Sequence, residues 1–557
     1  MNGQPSHQRA LPRVLLPVAT AALALALAGC GSGARVDSSP PALGGLDPVA
    51  LVAGREVAGD PGLALSHAGL TYRFAGAMNR ALFEENPRRF AVQLDGRCAG
   101  AHREQPGAPA IWAVHGGRIY LFCDPACREA FLADPERFVA REPGESVVLA
   151  AGADSVTQSW HGAEDGLPQD WPQWGGPDRN FKSPAQGLAA AWPEGGPPRL
   201  WSRELGEGFS AISVLRGALY TMIRRGAEEV VVSLDAATGN TRWEFGYPAP
   251  FSAEYETDFG PGPHATPLVT GSLVVTAGAT GLLHALDRTT GRAVWSHDLI
   301  GEFGGTVRTR GYSSSPLAYG DAVIAVAGGE GASLVAFDRR DGSVVWQAQS
   351  FHSSPSSPIV IRVDGQDQLV AFLHDEVVGL DPADGQLLWS HPHPTDWGLN
   401  ASTPVWGQDN LLFVSSAYNG GSRVLRLTRA DGGTTVEEVF FTRKMRLHFG
   451  NAVRLGDFVF GSSGDFGPPF FAAFDLTTGE PAWVERSVAK ASFLYADGRF
   501  VILDEDGVLT LATPTAEGLE IHSRAQLLDP VAWTVPSLAG TTLYLRDRKR
   551  ILALDLR

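Results

Sequence analysis

The sequence predicts a mainly β chain: an eight-bladed propeller closed by strands from both ends, preceded by a small α+β domain. Three observations carry that fold class. A strand–turn–strand motif recurs in tandem through the last two-thirds of the chain. A separate, gapless duplication with copies starting at Gly69 and Gly117 lies nearer the N-terminus. The composition, with 65 Gly and 38 Pro in 557 residues, favours many tight turns over long helices.

The N-terminus comes first. Arg9 and Arg13 precede an apolar run over residues 14–28, shorter than the ~20 residues that span a bilayer and suited to the apolar region of an export signal. The run ends in Leu27-Ala28-Gly29-Cys30, which resembles the lipobox of bacterial lipoproteins. That resemblance implies a signal peptide over 1–29 and lipidation of Cys30, whose several acyl chains would anchor the chain to a membrane. An ordinary secretory signal with a chance Cys is the alternative. Gly31 stands where inner-membrane retention often shows Asp, so the expected address is the periplasmic face of the outer membrane. Residues 30–45 read as a Gly/Ser/Pro tether.

The α+β domain is expected over 46–143. Gly69-Leu-Thr-Tyr72-Arg-Phe74, followed by Asn79-Arg80, Phe83, Pro87 and Phe90, is repeated as Gly117-Arg-Ile-Tyr120-Leu-Phe122, followed by Arg128, Phe131, Pro135 and Phe138. Each copy reads as an alternating strand and then a short amphipathic helix ending near Pro. With Asp47-Pro48-Val49-Ala50 and Gly96-Arg97-Cys98-Ala99, the stretch resembles a YHS domain, departing from the family's aromatics at Leu46 and Leu51.

The second copy carries chemistry in Phe122-Cys123-Asp124-Pro125-Ala-Cys127. Asp124 is expected to cap the helix with Pro125 as its first residue. Cys127 would then sit in the first turn, where the helix dipole favours a thiolate. Together with Cys98 the pattern resembles the three-Cys metal site of TRASH domains. Three thiolates suit Cu(I) or Zn(II), with His102 or His115 completing a tetrahedral set. A disulfide from Cys98 to Cys123 or Cys127 is the competing expectation, and it leaves one thiol over.

A linker over 144–165 leads to the propeller, expected over 166–557 and opening on Trp171-Pro172-Gln173-Trp174-Gly-Gly-Pro177. Its motif is an apolar strand ending in Leu/Phe-Asp, a turn ending in Gly, and a strand carrying Trp. The copies are Asp235–Gly239–Trp243, Asp287–Gly291–Trp295, Asp338–Gly342–Trp346, Asp381–Gly385–Trp389 and Asp475–Gly479–Trp483. Degenerate copies lie at Thr428 and Thr513, and Leu554-Asp555 ends the chain half a repeat short. The missing strand is Pro198-Arg-Leu200-Trp201-Ser-Arg-Glu-Leu205, which closes the ring and brings the blades to eight. The Asp caps the turn, the Gly supplies φ > 0 and the Trp packs between blades, so these residues are structural and none is assigned as catalytic.

The pattern resembles the PQQ-like repeat of quinoprotein dehydrogenases and of the lipoprotein subunit of the outer-membrane β-barrel assembly machinery. Quinoprotein alcohol dehydrogenases carry adjacent cysteines beside their cofactor and this propeller has none, so PQQ and calcium are disfavoured, and an enzyme, if one, would be a quinoprotein-type oxidoreductase. Residues entering the inner strands would ring the axial funnel: His264, Arg308, Arg310, Tyr312, His352, Asn400, Arg446 and His448. They would meet a periplasmic protein or an anionic small molecule. The net charge of −16 argues against nucleic acid and against a polybasic membrane surface. A binding or scaffold lipoprotein is the first expectation, with a heavy-metal carrier or sensor and a PQQ-dependent oxidoreductase as alternatives.

Overall fold

The computed structural model describes residues 40–100, 104–115, 117–133, 135–138, 167, 169–252, 255–306, 309–407, 409–430, 433–465 and 467–557. The expected signal peptide, Cys30, most of the tether and the linker lie outside the described residues.

The N-terminal domain is built twice. After a short helix α1 (Pro48–Val52), the first copy runs β1 (Asp60–His67), β2 (Leu70–Phe74), α2 (Ala77–Glu85) and α3 (Pro87–Phe90). The second runs β3 (Ala108–His115), β4 (Arg118–Phe122), α4 (Pro125–Ala133) and α5 (Pro135–Phe138). Each strand is thus half of an antiparallel hairpin, a partner the alternation alone did not announce. The two cores repeat residue for residue in kind. Phe83 is ringed by His67, Tyr72 and Phe74, and Phe131 by His115, Tyr120 and Phe122. Ala42 and Leu43, inside the expected tether, are buried in this domain's core, so its folded part begins ahead of residue 46.

The rest is the eight-bladed propeller, its described sheets spanning 213–248, 268–298, 317–348, 359–392, 405–442, 447–485, 491–526 and 537–555. The strand β6 (Arg199–Glu204) adds antiparallel to the last blade through Trp201 opposite Ala553, so strands from both ends close the ring. Inner strands such as 213–215, 268–270 and 491–496 are buried, because the neighbouring blades cover both faces of each sheet.

The repeat residues do what their chemistry allows. Asp287 Oδ1 accepts from Thr289 N at 3.1 Å and Thr290 N at 2.8 Å, closing the turn. Gly291 sits at φ +73° with Trp243 of the preceding blade stacked over it, leaving no room for a side chain. Trp243 in turn donates its indole N–H to Arg288 O at 2.9 Å. The same seam joins Trp201 to Ala236 O, Trp295 to Arg339 O, Trp346 to Pro382 O and Trp483 to Thr515 O. Register slips by one residue just before each of these indoles, a bulge that turns the ring into the seam.

Two further features position the site. Residues 171–183 form a strap across the channel. Trp171 pairs with Val214 of blade 1, Pro172 O accepts from Val269 N of blade 2, Trp174 donates to Thr403 Oγ1 of blade 5, and β5 (Lys182–Ser183) runs parallel to the inner strand of blade 7. The N-terminal domain docks on the turns that follow the inner strands of blades 6 and 7. Gly456 lies against Ala81 of α2, Arg89 pairs with Asp497, and Lys182 Nζ meets Glu85 Oε1 at 2.7 Å. The expected funnel residues precede the inner strands, so the funnel opens on the opposite face of the disc.

Candidate metal centre and propeller funnel

The three cysteines converge. Cys98 is held beside Leu121 of β4 and is fully buried, Cys123 follows β4, and Cys127 lies in the first turn of α4. Asp124 caps that helix as expected, its Oδ1 accepting from Cys127 N at 2.7 Å. The Cys123 N–H points at Cys98 Sγ, 3.2 Å away, and Cys123 Sγ lies 3.6 Å from Cys127 Sγ. All three sulfurs lie within 4.8 Å of one another, and none is in a disulfide.

That spacing suits a metal. Two thiolates each ~2.3 Å from a tetrahedral ion stand roughly 3.8 Å apart. A disulfide would need them at about 2.05 Å. The Asp124 carboxylate, 3.6 Å from Cys123 Sγ and 3.8 Å from Cys127 Sγ, is an oxygen donor at the same corner that the sequence pattern did not single out. His115 instead lies edge-on to Phe131, and His102 is outside the described residues.

The duplication sets this corner beside a purely structural counterpart. In the first copy Asp47 Oδ2 accepts from Ala75 N at 2.6 Å and Asn79 Nδ2 at 2.8 Å, the positions equivalent to Cys123 and Cys127. The second copy has the same strand end and helix start but sulfur in place of this carboxylate–amide lock.

Burial opposes ionisation of Cys98, but hydrogen bonds from Cys123 and Cys127 outweigh it and bring the thiol below its ordinary range. The hydrogen bond to Cys98, with burial and Cys127 adding to it, pushes Cys123 up to about 12. Among these crowded sulfurs one negative charge is stable and further ones repel, which is the condition a cation relieves.

The funnel gathers some of its expected residues and not others. His264 stacks on Phe209 at 5.3 Å, and Phe209, Phe259 and Phe449 all pack around Trp533. Phe449 leads to His448, then to Tyr418 and to Trp397, which is 57% exposed. Arg310 lies 4.9 Å over Phe259 and pairs with Glu256 at 3.0 Å. Arg446 reaches Asp465 at 3.3 Å. Burial lowers His264 and His448 to about 4, with Arg310 and Lys490 respectively adding to the effect, so both imidazoles are neutral.

Asn400 and Tyr312 do not offer themselves to a ligand. Asn400 is fully buried, its amide spent on Leu373 O and His374 O, and the Tyr312 hydroxyl donates to Ala327 O at 2.5 Å. His352 contacts His374, and Arg308 lies outside the described residues. The aromatic belt of Phe209, Phe449, Tyr418 and Trp533 was missed. For Phe209, Phe449 and Trp533 the signal was an aromatic at the same blade position as the polar residues, whereas Tyr418 comes from the turn after the second strand of blade 5. Among the described residues the Cys triad is the one group of three or more Cys, His, Asp or Glu whose ligand atoms lie close enough together to hold a metal ion.

Residues 227–485 match a PQQ-like repeat family model described as outer membrane protein assembly factor BamB. No curated protein matches the chain. Among solved structures, BamB from Moraxella catarrhalis is 20% identical, covering 64% of this chain and 97% of its own with a TM-score of 0.44. Quinohemoprotein alcohol dehydrogenase from Comamonas testosteroni is 14% identical, covering 71% of this chain and 81% of its own with a TM-score of 0.50. The dehydrogenase likeness speaks for the fold alone. What the match gives is a PQQ-like repeat over residues 227–485.

Proposed function

We propose that this protein is a lipid-anchored scaffold of the bacterial cell envelope whose N-terminal domain binds one Cu(I) or Zn(II) ion through Cys98, Cys123 and Cys127. The observation that carries the proposal is the convergence of three sulfurs within 4.8 Å, without a disulfide, at the capped start of α4. Thiolates are the ligands these ions prefer, and Asp124 supplies an oxygen at the same corner. The lipobox-like Leu27-Ala28-Gly29-Cys30 and the repeat match to an outer-membrane assembly factor support the envelope address. The aromatic funnel on the opposite face is the surface for a protein or small-molecule partner. The metal-bearing domain and the partner would thus lie on opposite faces of the propeller.

The test is metal loading of the purified protein under anaerobic, reducing conditions, read by mass spectrometry together with a thiol count. One equivalent of copper or zinc is expected, abolished by Cys98→Ser, Cys123→Ser or Cys127→Ser while the β-sheet circular dichroism is unchanged. Chains that take up no metal while all three thiols are reduced would overturn the reading.

A further inference from the structure

A cavity of about 100 Å³ lies between the strap and the inner strands of blades 4 to 6. Its walls include Asp178, Arg179 and Lys182 from the strap, Trp406 from blade 5 and Arg454 from blade 6. On this measure about 10–15 Å³ suffices for one water, so the space holds several waters or one small ion.

We propose that this cavity is a binding site for a small oxyanion of sulfate or carboxylate size. Arg179 is 3% exposed, and its Nη atoms are spent on Gln173 Oε1 at 3.1 Å, Pro316 O at 3.1 Å and Ser315 O at 3.4 Å. Its Nε has no partner among the described residues, and neither does the buried Nε1 of Trp406 in the same lining. Two N–H donors of the lining residues therefore remain unmatched, and such groups are costly when left so.

A second buried arginine shows what this fold does when a cation is structural. Arg546 is fully buried, yet Nε, Nη1 and Nη2 all donate, to Asp547 O, to Ser210 O, Thr221 Oγ1 and Met222 O, and to Gly206 O and Gly208 O. The fields of Asp547 and Glu207 also favour its charge. Arg179 has no such field: burial alone lowers it, to about 9. An unpaired buried charge costs several kcal/mol, which a counter-ion removes.

The charge around the cavity leaves a net excess for that counter-ion once Asp178 is protonated. Arg454 is neutralised by Asp409 at 2.7 Å and Lys182 by Glu85 at 2.7 Å, so the charge of Arg179 is offset only by Asp178, and only while that carboxyl is ionised. Asp178 is the one carboxyl in the lining. Burial raises it to about 6 against the field of Lys182, so below that pH it is neutral and its proton can be donated to an anion. With these groups facing the cavity, binding strengthens as pH falls through about 6. The site is separate from the thiol corner and stands whether or not that corner binds metal.

The experiment uses the whole purified protein. Crystals soaked in selenate are expected to show selenium anomalous density in the cavity. Calorimetric titration with sulfate and with acetate separates a tetrahedral from a carboxylate ligand. Trp406→Phe, which deletes one donor, should weaken the preferred ion tenfold or more, and Arg179→Met should abolish it. Should Arg179→Met fail to fold, Trp406→Phe and the selenate map still decide. Ordered water alone in the cavity, with no heat from either anion, would overturn the proposal, as would equal binding by wild type and Trp406→Phe.

Discussion

At the scale of the residue, the informative comparison is between equivalent positions of one duplication. Ala75 and Asn79 complete a carboxylate lock with Asp47, whereas Cys123 and Cys127 meet Cys98 in the same geometry. Adding a carboxylate–amide lock to the second copy should therefore preserve the fold while removing the metal. In Cys127→Asn, metal uptake is expected to be lost with a change in thermal midpoint of only a few degrees. A collapse of the domain would instead assign Cys127 a packing role. The thiols were legible because cysteine is rare here, with 4 in the chain. Asp124 was read only as a cap, since one carboxylate can cap with Oδ1 and still turn Oδ2 toward sulfur. In the funnel, Asn400 looked like its neighbours in sequence, and only the fold shows its amide spent on backbone carbonyls.

At the scale of the element, the blade seam follows from the motif of Asp, Gly and Trp, and it was legible wherever the motif was intact. Gly291→Ala combines a left-handed backbone with a Cβ 2.5 Å from the Trp243 ring. The strain and overpacking should cost about 2–4 kcal/mol, read as a lower denaturant midpoint with unchanged slope. A cost within about 0.5 kcal/mol, the usual range at a neutral surface site, would contradict the seam's role. The degenerate fifth blade shows how the seam survives without its motif. With no Asp turn to receive it, Trp389 donates to Gln368 Oε1 of its own blade at 2.7 Å. Phe440 takes the place of the missing Trp over Gly479. No repeat pattern marks Gln368 or Phe440, because each repairs a local defect. The strap was equally silent: its Trp171 and Trp174 were visible as a motif, but its path across the channel depends on contacts to blades far apart in sequence.

At the scale of the whole molecule, the N-terminal domain and the propeller share one apolar core, running from Tyr72, Phe74 and Phe83 to Val453, Phe460 and Phe493. They should melt as one cooperative unit. Gly456→Arg, which would drive a side chain into Ala81, is expected to split the calorimetric transition in two. A single unchanged transition would mean that this contact does not couple them. Stability should also fall on acidification. Burial lowers His284 and His448 to about 4 and His393 to about 3. Groups with depressed folded pKa values give stability that is whole above the unfolded value of about 6.5 and is lost as pH falls toward the folded ones. The thermal midpoint should therefore drop between about pH 6.5 and 4, and replacing buried His393 with Gln should flatten that drop. The central claim, a propeller scaffold bearing a thiolate metal centre, is tested most directly by native mass spectrometry of the reduced protein titrated with Zn(II) and, anaerobically, with Cu(I). One ion per chain in the wild type and none in Cys98→Ser is the predicted result. No bound ion in the fully reduced wild type, or equal loading of the Cys98→Ser chain, would contradict it.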